Sequence, residues 1–154
     1  MSKEQYLEVA EKVIQWAHDR NLIKGSTPAN QFLKLAEELK EVSTAENDEE
    51  LLKEVGDFHV VSIIMLEQMG LNTLDTEGSR EFVSHSFSIL MGDIAESIAK
   101  NKNSRDCIVR AVNEINHFLP VEYSELCALT AAYDKIKDRK GEMRNGVFVK
   151  EADL

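Results

Sequence analysis

The chain has 154 residues, 43% of them apolar and 30% charged, which is a folded globular composition and predicts one domain over 1–154. Eighteen basic residues against twenty-eight acidic ones give a formal net charge of −10. Like-charge repulsion argues against duplex nucleic acid or an anionic membrane as partner and favours a cationic one, of which a divalent metal is the simplest. The start, MSKEQYLEVAEK, is charged from Lys3 onward and carries no expected signal peptide. The most apolar stretch, Phe58 to Leu66, contains His59 and Ser62 and is too short for a bilayer span. Cys107 and Cys127 supply neither a disulfide framework nor a four-thiolate zinc site. Both are expected as buried free thiols, which fits a reducing cytosol and a cytoplasmic location.

In chain order the spacing predicts helices over 3–20, 28–45, 48–69, 79–101, 104–118 and 121–139, then a tail. Tyr6, Val9, Val13, Trp16 and Ala17 recur at helical spacing in the first helix. Leu126, Leu129, Tyr133 and Ile136 do so in the last. Pro28 and Pro120 each stand where a helix can begin. Asn145-Gly146 reads as a turn, and Val147-Phe148-Val149 is too short to found a sheet. The expectation is an all-α antiparallel bundle of about five to six helices.

Two segments carry more acid than solubility requires: LAEELKEV, with Glu37, Glu38 and Glu41, and LLKEVGDFHVV, with Glu54 and Asp57. Acids at i and i+3 lie on one side of a helix. On the wheel Glu54 shares a line with Val61 and Asp57 with Ile64, so both sit on the apolar arc. Glu38 borders Leu35, Leu39 and Val42, Glu41 lies just beyond, and Lys34 lies beside Glu41. Glu38, Glu41, Glu54 and Asp57 then face one another from adjacent helices, and burying them together requires neutralisation. Hard oxygen donors without a well-placed His pair indicate Mg²⁺, or Mn²⁺, over zinc. A di-iron bundle needs two Glu-x-x-His motifs, and only Glu114–His117 is present. His18, His59, His85 and His117 are expected to be structural or solvent-facing.

QFLKLAEELKEV followed by ELLKEVGDFHVV resembles the EExxE…ExxD signature of the MazG-like all-α nucleoside triphosphate pyrophosphohydrolases. YDKIKDRKGEMRNGVFVKEADL, from Tyr133, resembles the C-terminal segment of such proteins in phages and bacteria. The resemblance covers 1–72 and 121–154. Residues 73–120 look like an insertion, and there Phe87-x-x-Leu90-x-x-Asp93-x-x-Glu96 echoes Phe32-x-x-Leu35-x-x-Glu38-x-x-Glu41. That echo resembles the degenerate internal repeat of dimeric dUTPase-like relatives.

The resemblance implies hydrolysis of a nucleoside triphosphate to monophosphate and pyrophosphate, with Mg²⁺ on Glu38, Glu41, Glu54 and Asp57. Glu37, Glu38 and Glu41 become the catalytic candidates, although Glu37 lies farthest from the apolar arc. Lys135 and Arg139, at i and i+4, and Lys34 would contact phosphate. Asn145 would help hold the nucleotide, with Val147-Phe148 closing over it. Trp16 would stack a base or serve as core, and Gln31 would read a base edge. Sites shared between subunits are expected, in a homo-oligomer that is a dimer or a tetramer. The competing reading is a non-catalytic helical interaction module on the same scaffold.

Overall fold

The computed structural model describes residues 3–71 and 86–154. Its α-helices are α1 (Lys3–Asp19), α2 (Leu22–Gly25), α3 (Pro28–Thr44), α4 (Asp48–Gln68), α5 (Phe87–Ala99), α6 (Arg105–Ile115) and α7 (Glu125–Ile136). The expected bundle is therefore present, with the short α2 added. The start of the helix expected over 79–101, His85 included, lies outside the described residues.

Local signals set the boundaries. Thr27 caps α3 by accepting from the Asn30 amide at 3.1 Å, and Pro28 occupies the first turn, where a missing N–H costs nothing. Asn47 caps α4 through the Glu50 amide at 2.8 Å, and Asp48, Glu49 and Glu50 complement the helix dipole. Only the three residues 45–47 join α3 to α4, so the two helices run antiparallel as neighbours. Pro120 starts no helix. It lies in the link before α7, whose cap is Ser124, accepting from the Cys127 amide at 3.2 Å. Cys127 is consequently exposed, against the expectation of a buried thiol, and Cys107 is only half-buried.

Helix α4 is the axle of the fold. Every residue from Phe58 to Leu66 is buried. A helix apolar all round needs partners on all sides. On one side Phe58, Val61 and Met65 pack with Leu35 and Val42 of α3, Leu90 and Ile94 of α5, and Ile108 and Ile115 of α6. On the other, Val60, Ile63 and Ile64 meet Tyr6, Val13 and Trp16 of α1 and Leu129, Ala132 and Ile136 of α7. Burying each large side chain contributes roughly 1.5–3 kcal/mol.

One close approach fixes the centre. A Cβ added at Gly56 would stand 2.0 Å from the Ala128 carbonyl oxygen and 2.8 Å from the Ala132 Cβ. Glycine at this position lets α4 and α7 meet backbone to backbone, and it does so between Glu54 and Asp57.

The tail forms more structure than its sequence announces. Strands β1 (Gly141–Arg144) and β2 (Val147–Lys150) pair antiparallel, with Glu142 opposite Val149 and Arg144 opposite Val147. Asn145 and Gly146 close the turn at φ 53° and 79°. Left-handed conformation at both central residues is what a tight two-residue hairpin demands. Phe148 and Met143 fold back onto the α1/α7 side of the core, which is why four-residue strands persist here.

Candidate metal centre

The α3–α4 hairpin brings the expected acids together. One carboxylate oxygen each from Glu38, Glu41 and Glu54 lies within 4.8 Å of the other two. Glu38 is 5% exposed. Its Oε2 and the Oε2 of Glu54 are buried and have no hydrogen-bond partner among the described residues. Two orphaned oxygens on acids that converge in this way are costly unless a proton or a cation satisfies them. Burial first, then the charge of Asp57 and the contact with Glu41, push the Glu38 carboxyl up to about 8, with Lys34 opposing. Burial first, then the contact with Glu41 and the charge of Asp57, push Glu54 up to about 7, with Lys135 opposing. The donor set is three hard oxygens, which fits Mg²⁺ or Mn²⁺ and lacks the nitrogen or sulfur that zinc favours.

Asp57 stands apart from that trio. Lys135 of α7 donates to its Oδ2 as an ion pair. Burial raises the Asp57 carboxyl above its ordinary value, while the charges of Lys135 and Arg139 pull it down. Gly56 is the reason Lys135 reaches it, since α7 lies directly against α4 there.

The remaining predicted residues separate into a rim and a wall. Glu37 is half-exposed and outside the trio, held by Lys34 at 3.3 Å. Lys34, expected beside Glu41, reaches Glu37 and, at 3.8 Å, Glu38 instead. The i to i+3 and i+4 spacings bring those two acids under the lysine chain, whereas Glu41 lies two turns away. Gln31 is buried, with Nε2 donating to Ser26 Oγ at 3.0 Å. Trp16 is buried in the α1/α7 core, and its indole N–H donates to the Ile136 carbonyl at 2.9 Å. Phe148 meets the Trp16 ring edge-on at a centroid distance of 5.8 Å. Asn145 is exposed at the hairpin tip, where neighbouring Gly146 passes close to the Asn30 side chain.

Two features escaped the sequence reading. Arg20 lies 4.7 Å from the Trp16 ring centroid and donates to the carbonyls of Trp16, Lys137 and Arg139. It thereby ties the end of α7 to α1, and its only sequence signal is the i+4 step from Trp16. The other is a chain of polar groups that runs from the surface into the core. Asn116 donates to Glu125, so its Oδ1 is left to accept from His59 Nε2–H at 2.6 Å, and His59 Nδ1 accepts the Tyr6 hydroxyl at 2.6 Å. Burial lowers His59 to about 4, with the Asn116 bond opposing, so the ring is neutral.

Comparison with known proteins adds one relative. The chain is 37% identical over 70 residues to an uncharacterized 18.2 kDa protein in the rep-hol intergenic region of Haemophilus phage HP1 (strain HP1c1), a match covering 44% of this chain and 43% of that protein. The chain therefore aligns with less than half the length of that relative. No family model matches, and no solved structure matches. No described helix is long and apolar enough to cross a membrane.

Proposed function

We propose that this chain is a Mg²⁺-dependent nucleoside triphosphate pyrophosphohydrolase, with Mn²⁺ as an alternative ion, as its likeness to the MazG-like proteins implies. The observation that carries the reading is the pair of buried, unpartnered oxygens on Glu38 and Glu54 beside Glu41. An acidic protein can hold a triphosphate at such a place only through cations. Glu38, Glu41 and Glu54 would hold the ion, with Asp57 adjacent. When bound, it supplies charge neutralisation for the phosphates and Lewis acidity toward phosphorus and water.

The chain's own residues divide the rest of the work. Glu41, half-buried and against both other acids, is our assignment as the group that takes a proton from the attacking water. Glu37, tied to Lys34 at the rim, supports it from outside the trio. Lys135 and Arg139 act on the same carboxylate and so flank the acids with positive charge suited to a departing pyrophosphate. Trp16 serves as core and backs Phe148, so Phe148 and Asn145 of the hairpin, with Gln31 behind them, would be left to meet the nucleoside side. A homo-oligomer, dimer or tetramer, and a cytoplasmic setting belong to the same reading.

The test is a panel of NTPs and dNTPs incubated with and without Mg²⁺, resolving the products. Pyrophosphate plus monophosphate, formed only with the metal, is the expected result. Orthophosphate as first product would point to another hydrolase class. No turnover across the panel would favour the interaction module.

A further inference from the structure

Lys135 occupies a position that the four-carboxylate site does not require of a simple phosphate contact. Glu38, Glu41 and Glu54 converge within 4.8 Å, and Asp57 is not among them. Its Oδ2 is held by the Lys135 ammonium, which arrives from a different helix. Arg139 adds a second positive charge near the same carboxylate. A divalent ion approaching Asp57 therefore meets a resident cation, whereas one approaching the trio meets two unpartnered oxygens. Lysine is suited to temporary occupancy, because its ammonium rides on a flexible four-carbon stem and accepts any anionic partner in reach. Lys135 also lies one residue before the end of α7, with a third of its side chain exposed, so its head group has solvent to move into.

We infer that Lys135 is the resident counter-charge of Asp57, so that the trio takes one divalent ion before substrate and Asp57 takes part in a second only when a polyphosphate draws Lys135 away. This rests on the metal reading proposed above and adds an order of assembly to it. Four carboxylates against Lys135 and one dication remain slightly negative. Replacing the lysine by a second dication brings the four acids to neutrality, and the displaced ammonium then pairs with the negative phosphates of the substrate. The exchange ties completion of the metal site to arrival of the right kind of anion. An empty site would thus be held short of its full metal complement, and a monoanion would be a poor trigger.

Mn²⁺ serves as the probe, read by electron paramagnetic resonance on the full chain. The wild-type protein alone should bind one Mn²⁺ per chain with an uncoupled spectrum. Adding inorganic pyrophosphate should produce the signature of a magnetically coupled Mn²⁺ pair, which Mn²⁺–pyrophosphate in free solution does not give. Lys135→Gln should show the coupled pair without any anion, with the second ion bound at least tenfold more tightly than in wild type. Lys135→Arg should keep the wild-type stoichiometry, and Asp57→Asn should remain at one ion in every condition. A coupled pair in the wild type without pyrophosphate, or none with it, overturns the proposal, and this arm decides even if Lys135→Gln does not fold. A wild-type chain binding no Mn²⁺ at all sinks the underlying metal reading instead.

Discussion

Helices α3 and α5 carry the same spacing of residue types and end in opposite situations. Leu35 and Leu90, the second residue of each motif, are both buried. Three residues further on, Glu38 is buried and Asp93 is exposed. The reason is a rotation of the buried arc. On α3 it runs through Leu35, Glu38 and Val42, so the i+3 acid falls inside. On α5 it runs through Leu90 and Ile94, so the i+4 position is inside and the i+3 acid faces solvent. Glu96 then pairs with Lys100 on its own helix, and that partner holds its carboxyl below the usual range. Opposite α3 stand Glu54 and Asp57, whereas Ser97 of α5 faces the Cys107 thiol at 3.9 Å. Identical spacing therefore places acids together only where the facing helix also supplies them.

The same contrast holds between the two glycines of these regions. Gly56 on α4 has a backbone carbonyl where a Cβ would go, while Gly92 on α5 has nothing within 4 Å among the described residues. Gly56→Ala is expected to have the largest effect of any single methyl. Forcing α4 from α7 costs about 3 kcal/mol or more, because backbone cannot repack as a side chain does. At this chain length that lowers the melting temperature by about 6–12 °C. It should also part Lys135 from Asp57. A Gly56→Ala protein that melts like wild type would show that α4 and α7 are not in backbone contact.

Next in size is the functional contrast. Glu38→Gln is expected to reduce turnover about 100-fold or more, equivalent to about 3 kcal/mol of barrier. Asp93→Asn with Glu96→Gln should stay within about twofold of wild type, since their charges are open to solvent. Parallel pyrophosphate-release assays on the two proteins decide the matter. A large loss in the α5 double variant would mean that the second motif serves the site.

A smaller effect follows from protons. Glu38 and Glu54 titrate above ordinary carboxylates, so the metal-free native state holds protons that the unfolded chain has lost. Stability then falls as pH rises, from the ordinary carboxylate range through about 8. His59 works in the opposite direction. Its native value near 4 lies below the unfolded one, so it costs stability as pH drops below about 6.5. The two effects partly cancel between about 4.5 and 6.5, and above about 6.5 the carboxylates act alone. Melting in chelator should show a decline from pH 6.5 to 8 on the order of 1–2 kcal/mol. The decline should shrink in Glu38→Gln and be offset by Mg²⁺. A flat profile for the wild type in that window would contradict the convergence of the three acids.

These contrasts show what the chain's letters disclosed. The amphipathic stripes of α1 and α7, the start of α3 at Pro28, and the inward placement of Glu38 and Glu54 were all legible, because helical periodicity is local information. The hairpin was not, since its strands depend on Phe148 and Met143 finding a distant core. Neither was the hold of Lys135 on Asp57, seventy-eight residues away in sequence. Gly56 marks the boundary between the two kinds of information. A glycine inside a strong helix is a visible sign of close packing, yet only the three-dimensional arrangement identifies Ala128 as what it packs against.

The smallest effect concerns the other glycine, and its sign is what matters. Gly92 sits in the interior of α5 with an open Cβ position and no left-handed backbone requirement. Alanine there loses less backbone freedom on folding and gains helix propensity, worth about 0.5–1 kcal/mol. Gly92→Ala should therefore raise the melting temperature by about 1–4 °C and leave turnover unchanged. Because Gly56→Ala and Gly92→Ala are the same chemical change in two helices of one protein, opposite signs in paired melts isolate packing from propensity. A loss of stability at Gly92 would mean that something covers that face of α5. The exposed Ile89 on the same helix marks where such a contact would be sought.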